Sequence, residues 1–129
     1  MKKNLAVGIG GAVGTIVRYV IHQLPLPFDN VYRPILTMLI NVSGSFLLGF
    51  LIILFAKKIP VNAEIRLGFT TGLLGGYTTF STLCKESVLL GLSGDSFSSA
   101  VYVAATILLG LAAAWLGIGA AKQIERRSA

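Results

Sequence analysis

The run Gly68-Phe69-Thr70-Thr71-Gly72-Leu73-Leu74-Gly75-Gly76-Tyr77-Thr78-Thr79-Phe80-Ser81-Thr82 lies in the middle of a stretch, 64–90, long enough to cross a membrane. Glycines and hydroxyls crowd its centre. Gly75-Gly76 followed by Thr78-Thr79 disfavours a continuous helix. A break at membrane depth strands backbone N–H and C=O groups, which persist only inside protein or facing a water-filled cavity. Broken helices of this kind hold ions on freed carbonyls and half-helix ends. The other reading is close packing, since Gly72 and Gly76, like Gly10 and Gly14, have the GxxxG spacing.

Three further apolar stretches flank this one, at 4–24, 34–56 and 97–121. With 64–90, broken near 75–79, they make four spans in a single membrane domain covering 1–129. The first is too glycine-rich, and too directly followed by more spans, for a cleaved signal peptide. Pro25, Pro27, Pro34 and Pro60 fall in connections or at a span's first turn, where a missing N–H is harmless. Short connections make consecutive helices antiparallel neighbours.

Composition agrees. Of 129 residues, 54% are hydrophobic and 12% charged, and mean hydropathy is +0.79. A soluble domain carries roughly a quarter charged residues. This balance excludes an ordinary soluble enzyme, a disordered chain and a nucleic-acid module, despite a pI near 9.8. One cysteine, Cys84, and one histidine, His22, exclude a disulfide framework and multi-His metal chemistry.

Of eleven basic residues, eight share one side of a four-span layout: Lys2, Lys3, Lys57, Lys58, Arg66, Lys122, Arg126 and Arg127. Arg33 stands alone opposite, and Arg18 and Lys85 lie within spans. The positive-inside rule places both termini in the cytoplasm of a multi-pass cell-membrane protein. The charges flank apolar segments and form no face with aromatic interleaving, so they are read as topology signals in preference to a nucleic-acid or anionic-lipid patch.

Polar residues inside spans are expensive and often functional. Thr37, Asn41, Ser45 and Gly49 recur at steps of four, as do Tyr102, Thr106 and Gly110. Span three adds Thr78, Thr79, Ser81 and Thr82. These hydroxyls either bond back to their own helices and glue neighbours together or line a polar pathway. Glu86 and Lys85 lie toward the far end of span three, and no other span holds a carboxylate. A track of neutral donors suits a small anion better than a cation. The positive edge of Phe80 would add to it.

Together, Gly10-Gly11-x-x-Gly14 with Arg18-Tyr19, Asn41-Val42-x-Gly44-Ser45-Phe46-x-x-Gly49, and Gly72-x-x-Gly75-Gly76-Tyr77-Thr78-Thr79-Phe80-Ser81-Thr82 resemble the Fluc (CrcB) family of fluoride channels, over all four spans. The resemblance implies an all-α, dual-topology-type antiparallel dimer that lets cytoplasmic fluoride leave passively, relieving its toxicity. It implies a central structural sodium ion on the backbone carbonyls of Gly75 and Thr78, where the two breaks cross. It implies pore-lining roles for Asn41, Phe80, Ser81, Thr82, Tyr102 and Thr106, and matches Glu86 to the acidic residue that follows the motif.

Two positions depart from the family pattern. Leu83 replaces a second phenylalanine, and Gly110 replaces a hydroxyl. With the charge bias, they favour one half of a heterodimer with an oppositely oriented homologous subunit, the homodimer being the other assembly. The partners so implied are fluoride, that subunit and membrane lipid. Two further readings compete: a non-conducting assembly subunit, and a small four-helix proton-coupled multidrug exporter. The exporter needs a carboxylate in span one, and 4–24 has none.

Overall fold

The structure is a computed structural model that describes residues 1–24, 33–57, 59 and 61–127. Pro25, Pro27, Lys58 and Pro60, assigned above to connections, lie outside the described residues. Every regular element among them is helical. α1 is Lys2–His22, α2 is Arg33–Lys57, and the last helix is Ser96–Arg127. Each of the three is long and apolar enough to cross a membrane.

The third span is built from pieces. α3 (Ala63–Leu67) starts at Asn62, whose side chain accepts the Ile65 N–H at 2.9 Å. It runs into a π-helical segment, Gly68–Leu73, and then one turn, α4 (Leu74–Tyr77). The chain is extended at Thr78 (φ −74°, ψ 156°) and Thr79 (φ −149°, ψ 115°) before α5 (Phe80–Leu92) begins. The break therefore covers two residues at the end of the interval 75–79. Gly75 and Gly76 remain helical, in the turn that directly follows the π segment.

At the far end of α5 the chain turns through Gly94 (φ +90°), a backbone angle that favours glycine. Asp95 then caps α6 (Ser96–Arg127) by accepting the Ser98 N–H at 3.0 Å. Hydrogen bonding from Ser98 holds the Asp95 carboxyl below its ordinary range. α6 has 32 residues, running past the sequence-based limit of 121 to Arg127.

Two small-residue seams hold the bundle together. α2 lies along α6, with Gly49 against the Ala114 backbone and Gly117 against the backbone of Phe46 and Phe50. α1 lies along the π segment and α4. There Gly10 faces Gly68 and Leu73, Gly14 faces Leu73 and Tyr77, and Gly76 faces Gly11. Lipid tails are as apolar as leucine, so close backbone approach is what drives such helices together. The packing reading of the glycines thus holds at Gly72 and Gly76, and the broken-helix reading holds just beyond them. Outside these seams, Leu5, Ile9, Ile16 and Val20 of α1 and Leu108, Leu111 and Trp115 of α6 are exposed, as a lipid-facing surface requires.

Gly76→Ala would drive a methyl into the Gly11 backbone. Overpacking of this kind costs about 1–3 kcal/mol, so the thermal unfolding midpoint in detergent falls. Gly91→Ala, with open space around it, leaves that midpoint unchanged or slightly higher.

Candidate functional site

Interrupting a helix frees the groups that its next turn would have paired. In an unbroken span the Thr79 N–H would donate to the Gly75 carbonyl, and the Thr82 N–H to that of Thr78. Here both donors go elsewhere. The Thr79 N–H donates to Asn41 Oδ1 at 2.8 Å, and Asn41 Nδ2 donates back to the Thr79 carbonyl at 3.1 Å. The Thr82 N–H donates to Thr79 Oγ1 at 3.2 Å, which caps α5. The carbonyls of Gly75 and Thr78 thereby lose their helical donors.

Other groups around the break are held from neighbouring helices or within the span itself. Arg18 Nε of α1 donates to the Gly76 carbonyl at 3.2 Å, and the Thr15 hydroxyl reaches it at 3.5 Å. The Leu74 carbonyl accepts both the N–H and the hydroxyl of Thr78, at 3.0 and 2.9 Å. Tyr77 joins its hydroxyl to that of Ser43 at 3.0 Å.

A second cluster lies further along α5. Glu86 accepts from the Thr37 hydroxyl at 3.0 Å on one carboxylate oxygen and from the Tyr102 hydroxyl at 2.7 Å on the other. Thr37 is fully buried, and Tyr102 and Thr106 are nearly so. The Thr106 hydroxyl bonds back to the Tyr102 carbonyl of its own helix at 2.8 Å. All three hydroxyls are bonded in the structural way: Thr106 bonds along its own helix, while Thr37 and Tyr102 join their helices to α5.

Two open cavities meet this polar framework. One, of about 550 Å³, is lined by Asn41, Ser45 and Thr78 together with the apolar Leu48, Ile52, Phe80 and Leu83, and is mainly apolar. The other, of about 630 Å³, carries Arg18, His22, Arg33 and Lys85 with Thr82 and Glu86. The two are joined through side chains: Thr82 lines the basic cavity and accepts from Thr79 Oγ1 at 3.0 Å, and Thr79 is held by Asn41, which lines the first. Clustered cations facing a polar path favour anions.

Phe80 is 75% exposed at the start of α5 beside the open Gly75, and Ser81 is exposed next to it. Leu83, at the second aromatic position of the motif, is buried. At Gly110 the Ser45 hydroxyl lies 3.5 Å from where a Cβ would stand, so a hydroxyl from α2 occupies that stretch of the α6 stripe. Sequence reasoning singled out Asn41 and the motif, but not Arg18 and Thr15 as partners of Gly76, nor the Thr37–Glu86–Tyr102 link. An arginine inside a span is the signal for the first, and the i, i+4 stripes through Thr37 and Tyr102 for the second.

A fold all-helical among the described residues, with several apolar spans and a break inside one whose N–H donors find partners, defines a multi-pass membrane protein. The family described as "CrcB-like protein, Camphor Resistance (CrcB)" matches residues 5–118, and the chain belongs to that family. It is 42% identical over 127 residues to "Fluoride-specific ion channel FluC 2" of Halalkalibacterium halodurans, covering 98% of this chain and 91% of the relative. It is 43% identical over 124 residues to "Fluoride-specific ion channel FluC 2" of Geobacillus kaustophilus, covering 95% of each. It is 37% identical over 118 residues to "Fluoride-specific ion channel FluC" of Allorhizobium ampelinum, covering 92% and 94%. These relatives are channels, in line with the expectation that the chain is not an enzyme.

Asn41→Leu removes both partners of the Thr79 backbone, which lies in a residue only 7% exposed. Each orphaned group costs about 1–3 kcal/mol. Hydrogen–deuterium exchange across 78–82 then accelerates in the variant, while exchange in α6 stays as in the parent.

Proposed function

We propose that this chain is one subunit of a passive, fluoride-selective channel that lets cytoplasmic fluoride leave the cell and so limits its toxicity. The observation that carries this reading is the division of labour at the break. Asn41 and Thr79 Oγ1 take the donors that Gly75 and Thr78 would have used, while Phe80 and Gly75 stay open beside a mainly apolar cavity into which Asn41, Ser45 and Thr78 bring polar groups. The names of the relatives supply the ion.

Fluoride is small and tightly hydrated, so a pore must replace its water with close donors and still release it. The basic cavity gathers the anion. Thr82 and Ser81 follow with hydroxyl donors, and Asn41 has an amide hydrogen beyond the one given to Thr79. Phe80 offers a positively polarised edge. Tyr102 and Thr37 each donate to one oxygen of Glu86, so part of the carboxylate's acceptor capacity is turned toward them and away from the anion. Thr106, bonded along its own helix, shapes the wall beside Tyr102.

The assembly is an antiparallel dimer in which the exposed breaks meet. Both termini of this chain face the cytoplasm, by its charge bias. That bias and the buried Leu83 favour a heterodimer with an oppositely oriented homologue. The freed carbonyls of Gly75 and Thr78 form an oxygen donor set of the kind a hard cation such as sodium takes, and Gly75 has no side chain in the way. Sodium bound there would supply central positive charge. A non-conducting assembly subunit is the competing reading, because Leu83 presents no aromatic edge.

Liposomes loaded with fluoride and reconstituted with this chain, alone and then with an oppositely biased homologue, test the proposal. Fluoride release read by electrode is expected with the pair, with chloride retained, and it weakens in Asn41→Leu and Tyr102→Phe. Absence of fluoride release in both preparations overturns the reading. Unchanged flux when the variant subunit replaces this one identifies a non-conducting half. Replacing sodium by a bulky organic cation lowers the thermal stability of the dimer.

A further inference from the structure

We propose that the end of the bundle where α2 and α6 finish holds the phosphate of an anionic phospholipid. A cavity of about 400 Å³ opens there, and its described lining is entirely charged: Lys57, Lys122, Glu125 and Arg126. Lys57 is drawn in by Glu125, at 2.9 and 3.2 Å to the two carboxylate oxygens. Lys122 and Arg126, one turn apart, have no hydrogen bond or ion pair among the described residues. Three cations against one carboxylate, which is already engaged, leave the cavity short of negative charge.

Its position says which anion. Thirty-two residues make α6 about 48 Å long, against a hydrocarbon core of about 30 Å, so its last turns stand clear of the acyl chains. Leu108, Leu111, Trp115, Gly119, Lys122 and Arg126 follow one another at steps of three and four and share one exposed face. Trp115 is 77% exposed, as an interfacial anchor is. Lys122 lies two turns beyond it, about 10 Å further on, at headgroup height. Between them Gly119 leaves open space on the helix surface, room for the top of an acyl chain beneath a bound phosphate. A soluble phosphate would use the cations alone; a phospholipid uses the cations and the apolar face together. Basic cavities between helix ends at the membrane surface take anionic headgroups in this way.

Native mass spectrometry of the purified protein tests this, with phosphatidylglycerol, phosphatidylcholine of the same acyl chains, or inorganic phosphate added. Phosphatidylglycerol is expected to be retained over phosphatidylcholine, and Lys122→Gln/Arg126→Gln to weaken its retention by about 30-fold. Glu125→Gln, which keeps all three cations, retains it at least as well as the parent. Lys2→Gln/Lys3→Gln, which alters basic residues on another helix, leaves retention unchanged. Equal retention of the two lipids, full retention by the Lys122/Arg126 variant, or an equal loss in the Lys2/Lys3 variant overturns the proposal. Displacement of the lipid by equimolar inorganic phosphate also overturns it, and assigns the cavity to a free anion.

Discussion

A peptide group inside a membrane must find a hydrogen-bond partner within the protein, and the third span leaves several of them open at mid-helix. Everything else in the fold can be read as an answer to that constraint. Asn41 takes both backbone groups of Thr79 with one side-chain amide. Arg18 and Thr15 attend to the Gly76 carbonyl, and Thr79 caps the helix that restarts the span. An asparagine and an arginine within spans are costly by themselves. Here they offset a larger penalty, because an orphaned buried peptide group loses its water without replacement.

These contacts require close helices, and the small residues provide them. Gly10 and Gly14 let α1 lie against the carbonyl side of the π segment, bringing Arg18 within reach of Gly76. Gly49 and Gly117 bring α2 against α6. With α2 fixed, Asn41 reaches the break and Thr37 reaches Glu86, while Tyr102 closes the same carboxylate from α6. The polar groups thus tie α1 and α2 to α4, and α2 and α6 to α5, while Gly75, Phe80 and Ser81 stay exposed.

Much of this is legible in the amino-acid order. Span number and approximate limits follow from the apolar runs, and the break follows from Gly75-Gly76-x-Thr78-Thr79. The π segment is not legible, since a widened turn has no residue signature beyond the glycines and threonines that also suit ordinary packing. It precedes the turn that holds Gly75 and Gly76, and the break follows at Thr78 and Thr79. The continuation of α6 to Arg127 is hidden for another reason: apolar character stops near Ala121, but the helix persists through its charged turns by backbone pairing, with Glu125 tied to Lys57 of α2. Which residues pair with which, such as Arg18 with Gly76 or Thr37 with Glu86, depends on helix rotation and depth, and neither is encoded locally. Asn41 was legible as a cost to be explained, and its use became visible only with the Thr79 backbone beside it.

In the proposed dimer, a break whose N–H donors are satisfied within one subunit would turn its open Gly75 toward the break of the other. Cysteine cross-linking in native membranes tests it most directly, in a Cys84→Ser background that removes the exposed native thiol. Gly75→Cys in both subunits, under mild oxidant, is predicted to give a disulfide-linked dimer, whereas Leu108→Cys on the lipid-facing side of α6 gives none. A Leu108→Cys dimer without a Gly75→Cys dimer would contradict the account.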